Sequence, residues 1–424
     1  MAAGHTPRLR DSGSGGGSGP GPGGHQVTPQ AGADRVHRLP VGGLAGLLRQ
    51  GAAAGAVNLA VGTPSWPRTP PELVEQACRS LREGTNQYET PEGSPVLRER
   101  IAAALPGRPD PATELTVTAG GSEGLCVALL ASVDPGDEVI VLEPFYENFL
   151  SAIAMAGGVP RFVPLRGPGW SLEPQDLIDA FSVRTRALVL NSPSNPTGSL
   201  LGRAELELVA TLCQKWNTTV VSDEVYAGYV YDGARHLSVA EVPALADRSV
   251  VVGSLSKSHA VSGWRLGFLR AAPAWTDMLR RVHVATTGGA AAPLQHAAAA
   301  ADLFGPARWD PAPEMQQRRD RAVSMLERAG FDCTVPQGGC YVMAGISGLT
   351  DEDSPDFARR LAAEAGVLVA PATSFFARAA GGLRHVRVAF NRESAELDAA
   401  QQRLETFARA DRAPKSSVQP SERA

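Results

Sequence analysis

The chain has 424 residues, of which 43% are hydrophobic, so it is long enough to bury two compact cores. Its formal net charge of -4 argues against a nucleic-acid partner, and no Lys/Arg block suggests an anionic membrane surface. No run of about 18 apolar residues occurs, so we expect no membrane span. These properties favour chemistry on small molecules.

Cysteine usage indicates the compartment. The chain has 5 cysteines, with no CxxC pair and no histidine at metal-ligand spacing. We therefore expect buried free thiols, no metal site and a reducing, cytoplasmic location. Residues 1–50 contain no apolar segment of signal-peptide length, which supports the same expectation.

Composition divides the chain into parts. Residues 1–34 are Gly-rich and residues 413–424 are polar, so both ends have too few apolar side chains to order themselves and are expected to be disordered. Between them we expect an N-terminal segment, 35–66, that joins a small domain. A large domain, 67–300, and a small C-terminal domain, 301–412, follow it.

The predicted elements alternate between helix and strand. Leu97, Ile101 and Leu105 recur every four residues, which is typical of an amphipathic helix. Four nearly continuous apolar runs follow, as in strands that are covered on both faces; they lie at 138–144, 186–193, 218–224 and 249–256. A helical pattern at 204–216 joins the second run to the third, which indicates a parallel βαβ unit.

A different pattern marks the later part of the chain. A helix is predicted at 315–330, followed by the strands CYVMAGI and HVRVAF. This order is typical of a second, smaller α+β lobe.

Polar residues follow three of the predicted strands where each strand ends. They are Asn195 after the second, Asp223 and Tyr226 after the third, and Ser254, Lys257 and Arg265 after the fourth. Taken singly, these are a turn signal, a cap, a packing residue and a loop lysine. Ligands of open α/β sheets gather at the carboxyl ends of the strands, so we expect the residues to converge.

Lys257 stands out because the chain has only three lysines, the others being Lys215 and Lys415. The order and spacing of the three segments resemble the class I and II aminotransferases, fold type I enzymes that use pyridoxal 5′-phosphate. VNLAVGTPSWP, VTAGGSEGL, EPFYENFLSAIAMAGG and HVRVAFNRE extend the resemblance over about 57–404. The pattern is similar to the branch with kynurenine aminotransferase, glutamine transaminase K and succinyldiaminopimelate aminotransferase.

The resemblance implies an α/β fold. Its large, cofactor-binding domain would hold a mostly parallel seven-stranded sheet covered by helices, beside a smaller α+β domain. Lys257 would form a Schiff base with the cofactor aldehyde and move the substrate Cα proton. Asp223 would hold the proton on the pyridine nitrogen, and Tyr226 and Asn195 would bind the phenolic oxygen.

The resemblance also implies the groups that bind the phosphate and the ring. The backbone at Gly121 and Ser122 would bind the phosphate together with the two side chains Ser254 and Arg265. Tyr146 would stack on the ring.

Two further roles concern the partner subunit and the substrate. Tyr88 would reach the phosphate of the other subunit, which implies a homodimer, although it could be a simple turn residue. Arg387, with Asn195 and the Gly62 backbone, would bind the substrate α-carboxylate, and Trp66 would form a pocket wall.

Two features bear on the substrate. The segment ATTGGAAAPLQ, 285–295, suggests room near the substrate side chain, or else a flexible turn. No arginine in a recognised motif is left for a distal carboxylate, which disfavours aspartate as the donor.

The sequence therefore predicts transfer of an amino group from an L-amino acid to a 2-oxo acid. One alternative is elimination, replacement or cyclisation on a β- or γ-substituted amino acid, because the same cofactor supports these reactions. A non-catalytic regulator that binds pyridoxal phosphate is a further alternative, but it would need a DNA-binding module that the N-terminal arm does not resemble.

Overall fold

The computed structural model describes residues 32–39, 55–84 and 86–412 of the chain. Residues 1–31 of the predicted arm and the whole predicted tail, 413–424, lie outside the described residues. The described helices are α1 (Asp34–His37), α2 (Pro71–Arg82), α3 (Pro95–Ala104), α4 (Gly121–Ser132), α5 (Asn148–Ala156), α6 (Pro174–Ala180), α7 (Arg203–Trp216), α8 (Leu255–Ser258), α9 (Pro273–Thr286), α10 (Ala292–Ala301), α11 (Ala312–Ala329), α12 (Ser354–Glu364) and α13 (Ser394–Arg412).

The described strands fall into two groups along the chain. The first group is β1 (Val57–Asn58), β2 (Leu115–Thr118), β3 (Glu138–Glu143), β4 (Val159–Arg166), β5 (Ser171–Leu172), β6 (Thr185–Asn191), β7 (Thr219–Asp223), β8 (Ser249–Ser254) and β9 (Gly267–Ala271). The second group is β10 (Asp332–Cys333), β11 (Tyr341–Gly345), β12 (Val367–Leu368), β13 (Ala370–Pro371) and β14 (His385–Ala389).

Within the described residues, 8 strands form one large sheet in the order β2-β9-β8-β7-β6-β3-β4-β5. The strands β8, β7, β6, β3 and β4 are parallel neighbours, whereas β9 runs antiparallel to both β2 and β8. All but β5 make up the predicted seven-stranded, mostly parallel sheet. β5 is an additional strand of 2 residues, antiparallel to β4 at the edge. The predicted α/β class is confirmed.

The central strands owe their position to continuous apolar sequence. Every residue of β7 and β8 is buried, as expected for strands covered by helices on both faces. The crossover helix α7 starts after Gly202, whose N–H donates to Glu205 Oε2 at 2.6 Å. It ends before Asn217, which adopts the left-handed conformation with φ 51°. This helix connects β6 to β7 as the predicted βαβ unit.

A smaller lobe is built on an antiparallel sheet in the order β10-β11-β14-β13. Helices α11 and α13 pack together on this lobe, and α11 also contacts β10 and β11. The N-terminal segment joins it because β1 pairs in parallel with β12, with Val57 opposite Val367. Leu59 and Ala60 are buried in the same core. The exact domain boundaries stay a prediction.

The lobes meet along the carboxyl edge of the large sheet. Asn191 lies opposite Asp223 in the β6–β7 register, and Asp223 lies opposite Val252 in the β7–β8 register. The polar residues that follow these three strands are therefore close together. None of the described helices is both long enough and apolar enough to span a membrane.

Candidate functional site

A cavity of about 420 Å³ lies at this carboxyl edge, between the large sheet and the smaller lobe. It brings together most of the residues that the sequence predicted for the site. Those on its wall are Gly62, Gly121, Ser122, Tyr146, Asn195, Asp223, Tyr226, Ser254, Lys257, Arg265 and Arg387.

Lys257 lies in the short helix α8, directly after β8. Its Nζ donates a hydrogen bond to the carbonyl oxygen of Gly62 at 2.9 Å. Burial lowers the pKa of the Lys257 amine, and neighbouring arginines lower it further, whereas Cys340 opposes them. A lower pKa increases the fraction of neutral amine, which is the form that attacks a carbonyl carbon.

Asp223 is the last residue of β7 and is buried. Burial raises the pKa of its carboxyl to about 7, and this outweighs the lowering effect of the Val225 backbone hydrogen bond. The Val225 N–H donates to Asp223 Oδ1 at 3.2 Å. A carboxylate in such a position gains most from a cation placed beside it, because a cation favours its charged form.

The predicted residues Asn195, Tyr146 and Tyr226 also lie on the wall. Asn195 is held by two hydrogen bonds: its N–H donates to Asn191 Oδ1 at 2.7 Å, and its Oδ1 accepts from Arg387 Nη1 at 2.8 Å. Asn195 Nδ2 is therefore the group left to donate to a ligand. The Tyr146 hydroxyl accepts from Asn148 Nδ2 at 2.6 Å. Burial raises the pKa of the Tyr146 and Tyr226 phenols, so both keep their protons.

One end of the cavity is shaped for an anion. Helix α4 begins at Gly121, and the free N–H groups of a helix N-terminus attract negative charge. Arg265 lies against this terminus, since a Cβ on Gly120 would be 2.5 Å from Arg265 Nη2. A Cβ on Gly267 would be 2.6 Å from the Gly121 nitrogen, so both glycines are needed for this close approach. The arrangement fits the phosphate of the predicted cofactor.

Ser254 lies on the wall of the same cavity, but its hydroxyl already forms two hydrogen bonds within the protein. It accepts from the Ser256 N–H at 3.1 Å and donates to the Leu266 carbonyl at 3.4 Å. These bonds cap helix α8 and hold the chain next to Lys257. Its contact with a phosphate stays a prediction.

The other end of the cavity carries Arg387, a buried residue of β14. Its Nη2 donates to the Ala60 carbonyl at 2.8 Å, and its guanidinium lies 4.2 Å and 4.5 Å from the ring centres of Tyr341 and Phe375. Among the described residues, its buried Nε has no hydrogen-bond partner. A carboxylate ligand would supply the missing acceptor.

Some residues of the wall were not predicted from the sequence. Tyr341 is the main one: its hydroxyl lies 3.3 Å from that of Tyr226, and a Cβ on Gly62 would overlap it. The segment CYVMAGI was interpreted only as a strand, although an aromatic residue at the start of a strand was a usable signal. Phe375, Ser374 and Asn148 were also missed.

Two predicted residues lie away from this wall. Trp66 does not line the cavity, and the Arg318 guanidinium covers its ring at 3.6 Å. Tyr88 is 99% exposed on the surface. The segment 285–295 does not line the cavity either. The roles given to these residues stay predictions.

Comparison with known proteins agrees with this geometry. Residues 54–404 match the family described as "Aminotransferase class I and II". Kynurenine--oxoglutarate transaminase 3 of Rattus norvegicus is 36% identical over 318 residues, which cover 69% of each chain. The probable N-succinyldiaminopimelate aminotransferase of Mycobacterium tuberculosis is 35% identical over 372 residues, or 84% of this chain and 93% of that one.

A solved structure supports the same assignment. The Escherichia coli protein whose structure and reactivity identified a methionine aminotransferase function superposes with a TM-score of 0.85 and 29% sequence identity, covering 89% of this chain and 100% of that chain. The comparisons favour transamination over the elimination and regulator alternatives. The chain therefore belongs to the class I and II aminotransferases, fold type I enzymes that use pyridoxal 5′-phosphate to move an amino group from an amino acid to a 2-oxo acid.

Proposed function

We propose that Lys257, Asp223, Arg265 and Arg387 are the principal residues of this transamination. One observation carries the proposal: all four residues line a single cavity. When bound, pyridoxal phosphate supplies an aldehyde and a ring that accepts electrons. Lys257 would hold the aldehyde carbon and, when its amine is free, would move the proton at the substrate Cα.

Asp223 and its neighbours orient the ring. The Asp223 carboxylate would hold the proton on the pyridine nitrogen and would itself stay charged beside that cation. Tyr226 donates to the phenolic oxygen, as does Asn195 through Nδ2, because Asn195 Oδ1 is taken by Arg387. Tyr146 covers a face of the ring.

The two ends of the cavity bind the two anionic groups. Arg265, Ser254 and the N–H groups of Gly121 and Ser122 hold the phosphate. Arg387 holds the substrate α-carboxylate through its unpartnered Nε, and this is supported by the buried position of that nitrogen. The Gly62 backbone lies beside the same region and accepts from Lys257.

The charge of the wall bears on the donor amino acid. Within the described residues, the lysine and arginine side chains of the wall are Lys257, Arg265 and Arg387, and each already has a role. Among the described residues of the wall, no lysine or arginine is therefore left for a second carboxylate. We therefore propose a donor with an uncharged side chain, which agrees with the methionine aminotransferase function of the Escherichia coli relative.

The enzyme is proposed to act as a homodimer with shared sites. The 99% exposure of Tyr88 supports this, because a large aromatic side chain is rarely so exposed unless it meets a partner. In such a dimer, Tyr88 would reach the phosphate bound by the other subunit. The part of Trp66 in the pocket wall stays a prediction, since Trp66 does not line the cavity.

A cytoplasmic location is also proposed. The five cysteines are all free, as expected for a protein kept in a reducing compartment; they are Cys78, Cys126, Cys213, Cys333 and Cys340. Recovery of the native enzyme in a periplasmic or extracellular fraction would contradict this location.

The first prediction tests the cofactor anchor. Lys257→Ala should abolish the adduct that borohydride traps between the enzyme and pyridoxal phosphate, because the reacting amine is gone. The measurement is the mass of the reduced peptides. Lys215→Ala, which removes an exposed lysine of α7, is the control and should keep the adduct. An adduct that persists on Lys215 or Lys415 in Lys257→Ala would show that the anchor is elsewhere.

The second prediction concerns the donor. Methionine and other neutral amino acids should give kcat/KM values at least about tenfold above those of aspartate, since an unpaired carboxylate loses a charge-assisted hydrogen bond. The measurement is formation of pyridoxamine phosphate in single half-reactions, with no oxo acid present. N-succinyldiaminopimelate belongs in the panel. If it or aspartate were the best donor, the proposed neutral pocket would be wrong.

The third prediction concerns the shared site. Tyr88→Phe should weaken cofactor binding about tenfold, because a phosphate hydrogen bond is lost. In a hybrid dimer of one Tyr88→Phe chain and one Lys257→Ala chain, the site with the intact lysine should regain normal affinity. Continued weak binding in the hybrid would place Tyr88 in its own chain's site, and a monomer in solution would exclude sharing.

The fourth prediction uses the pH dependence of Asp223. Burial raises the folded-state pKa of Asp223 to about 7, above its value in the unfolded chain. Stability is therefore lost as the pH rises between these two pKa values, because the buried carboxyl must give up its proton. Asp223→Asn should therefore raise the Tm of the cofactor-free enzyme by about 2–4 °C at pH 8 relative to wild type. The gain should shrink at pH 5, where wild-type Asp223 is protonated.

Thermal unfolding at the two pH values measures this effect, with exposed Asp134→Asn as a control for loss of a surface carboxylate. An equal gain at pH 5 and pH 8 would contradict the raised pKa. The same Asp223→Asn variant should bind the cofactor but lose most activity, because the ring nitrogen is no longer held protonated.

A further inference from the structure

We propose that His283 is a positioning residue for the cofactor phosphate, because it holds Glu123 against the phosphate-binding turn and balances the negative charge of that carboxylate. The phosphate-binding turn is residues 119–122, which connect β2 to α4. The inference rests on the proposed phosphate site at Arg265 and this turn. It extends that site to a residue that does not line the cavity.

A carboxylate lies directly at the phosphate-binding turn. Glu123 is in the first turn of α4, and its Oε2 accepts a hydrogen bond from the Ala119 N–H. That bond joins the start of the helix to the residue that follows β2, so it fixes the backbone whose N–H groups would bind the phosphate. The same carboxylate is an anion beside an anion site, and like charges repel. Its charge must therefore be balanced for the turn to bind a phosphate well.

His283 supplies this balance from the last turn of α9, where its side chain is fully buried. Its Nδ1 lies 2.6 Å from Glu123 Oε1, and its Nε2 lies 2.9 Å from the Pro91 carbonyl oxygen. Burial tends to raise the pKa of the Glu123 carboxyl, but hydrogen bonds, that of His283 foremost, hold this pKa below its usual value. Both neighbours of the ring are then acceptors. The imidazole must donate from both nitrogens, so it carries a positive charge.

The packing of α9 on the large sheet sets the position of His283. Three residues earlier, Arg280 Nε donates to Thr116 Oγ1 at 3.2 Å, and Arg280 Nη2 donates to the Leu115 carbonyl at 2.8 Å. Both acceptors belong to β2, the strand that leads into the phosphate-binding turn. Because α9 and the turn are attached to the same strand, the imidazole is held at a fixed place relative to the turn.

The contribution of the phosphate can be isolated by comparing two ligands. Pyridoxal lacks the phosphate but keeps the ring and the aldehyde, so the ratio of its Kd to that of pyridoxal phosphate measures what the phosphate site contributes. His283→Gln keeps a hydrogen-bond donor for Glu123 but removes the positive charge. The ratio should therefore fall about tenfold at pH 8, because an unbalanced carboxylate repels the phosphate. His283→Asn carries the same expectation, so the test does not depend on one substitution.

A second substitution separates the effect of charge from general damage. In Glu123→Gln/His283→Gln neither side chain is charged, and the two amides can still form a hydrogen bond. The ratio should then return to within about twofold of wild type. Glu123→Gln alone should not lower the ratio, because it removes the repelling charge. General damage would instead lower the ratio further with each substitution.

A matched control is another buried histidine–glutamate pair. His236 Nε2 lies 2.9 Å from Glu224 Oε2, and Glu224 is the neighbour of Asp223 in sequence rather than part of the phosphate-binding turn. His236→Gln should therefore leave the ratio within about twofold of wild type, even if it weakens the binding of both ligands.

Arg265→Gln tests the phosphate site itself and should lower the ratio more than His283→Gln, since it removes a direct contact. If Arg265→Gln leaves the ratio unchanged, the proposed phosphate site is wrong, and the role of His283 is overturned with it. If Arg265→Gln lowers the ratio but neither His283 variant does, only the role of His283 is overturned. A double variant that stays as weak as His283→Gln, or a fall in Glu123→Gln, would also overturn it, because His283 would then act through structure rather than charge.

Discussion

The parallel register of β6, β7 and β8 is the constraint on which the site depends. Parallel neighbours end at one edge, and the pairing of Asn191 with Asp223 and of Asp223 with Val252 aligns those ends. The Asn195 loop, Asp223 and Lys257 are thereby adjacent although they are far apart in sequence. Burial of all three strands fixes this register. The apolar residues that build the core therefore also determine where the residues of the site lie.

Burial then gives the site its electrostatic character. It favours the neutral form of every ionisable group, so it lowers the pKa of the Lys257 amine and raises that of the Asp223 carboxyl. The protein thus holds an amine whose neutral form is favoured and an acid whose charge depends on what is bound next to it. A ligand with a cationic ring and an aldehyde matches both needs at once.

A residue of the site could be predicted from the sequence where a local pattern determines its position, but not where contacts with distant segments do. Asp223 and Lys257 could be found from the sequence because each follows a continuous apolar strand, a local pattern. Tyr341 and Trp66 depend on distant contacts: Tyr341 meets Tyr226 across the lobes, and Trp66 is covered by Arg318 from α11. The edge strand β5 is too short to show a period in sequence. Fold class is therefore recoverable from local patterns, whereas contacts between distant segments, such as that of Tyr341 with Tyr226, are not.

Arg387 belongs both to the proposed substrate site and to the contacts that hold the lobes together. Its two terminal nitrogens bond Asn195 beside the large sheet and Ala60 in the N-terminal segment, while the residue itself belongs to the smaller sheet. If Arg387 binds the substrate as proposed, affinity for the substrate is coupled to the packing of these three chain segments, and such coupling acts equally in both directions. A distant substitution that loosens this junction can therefore weaken substrate binding without touching the ligand. Equally, a rise in KM after substitution of Arg387 would reflect both the lost contact with the substrate and the altered packing of these chain segments.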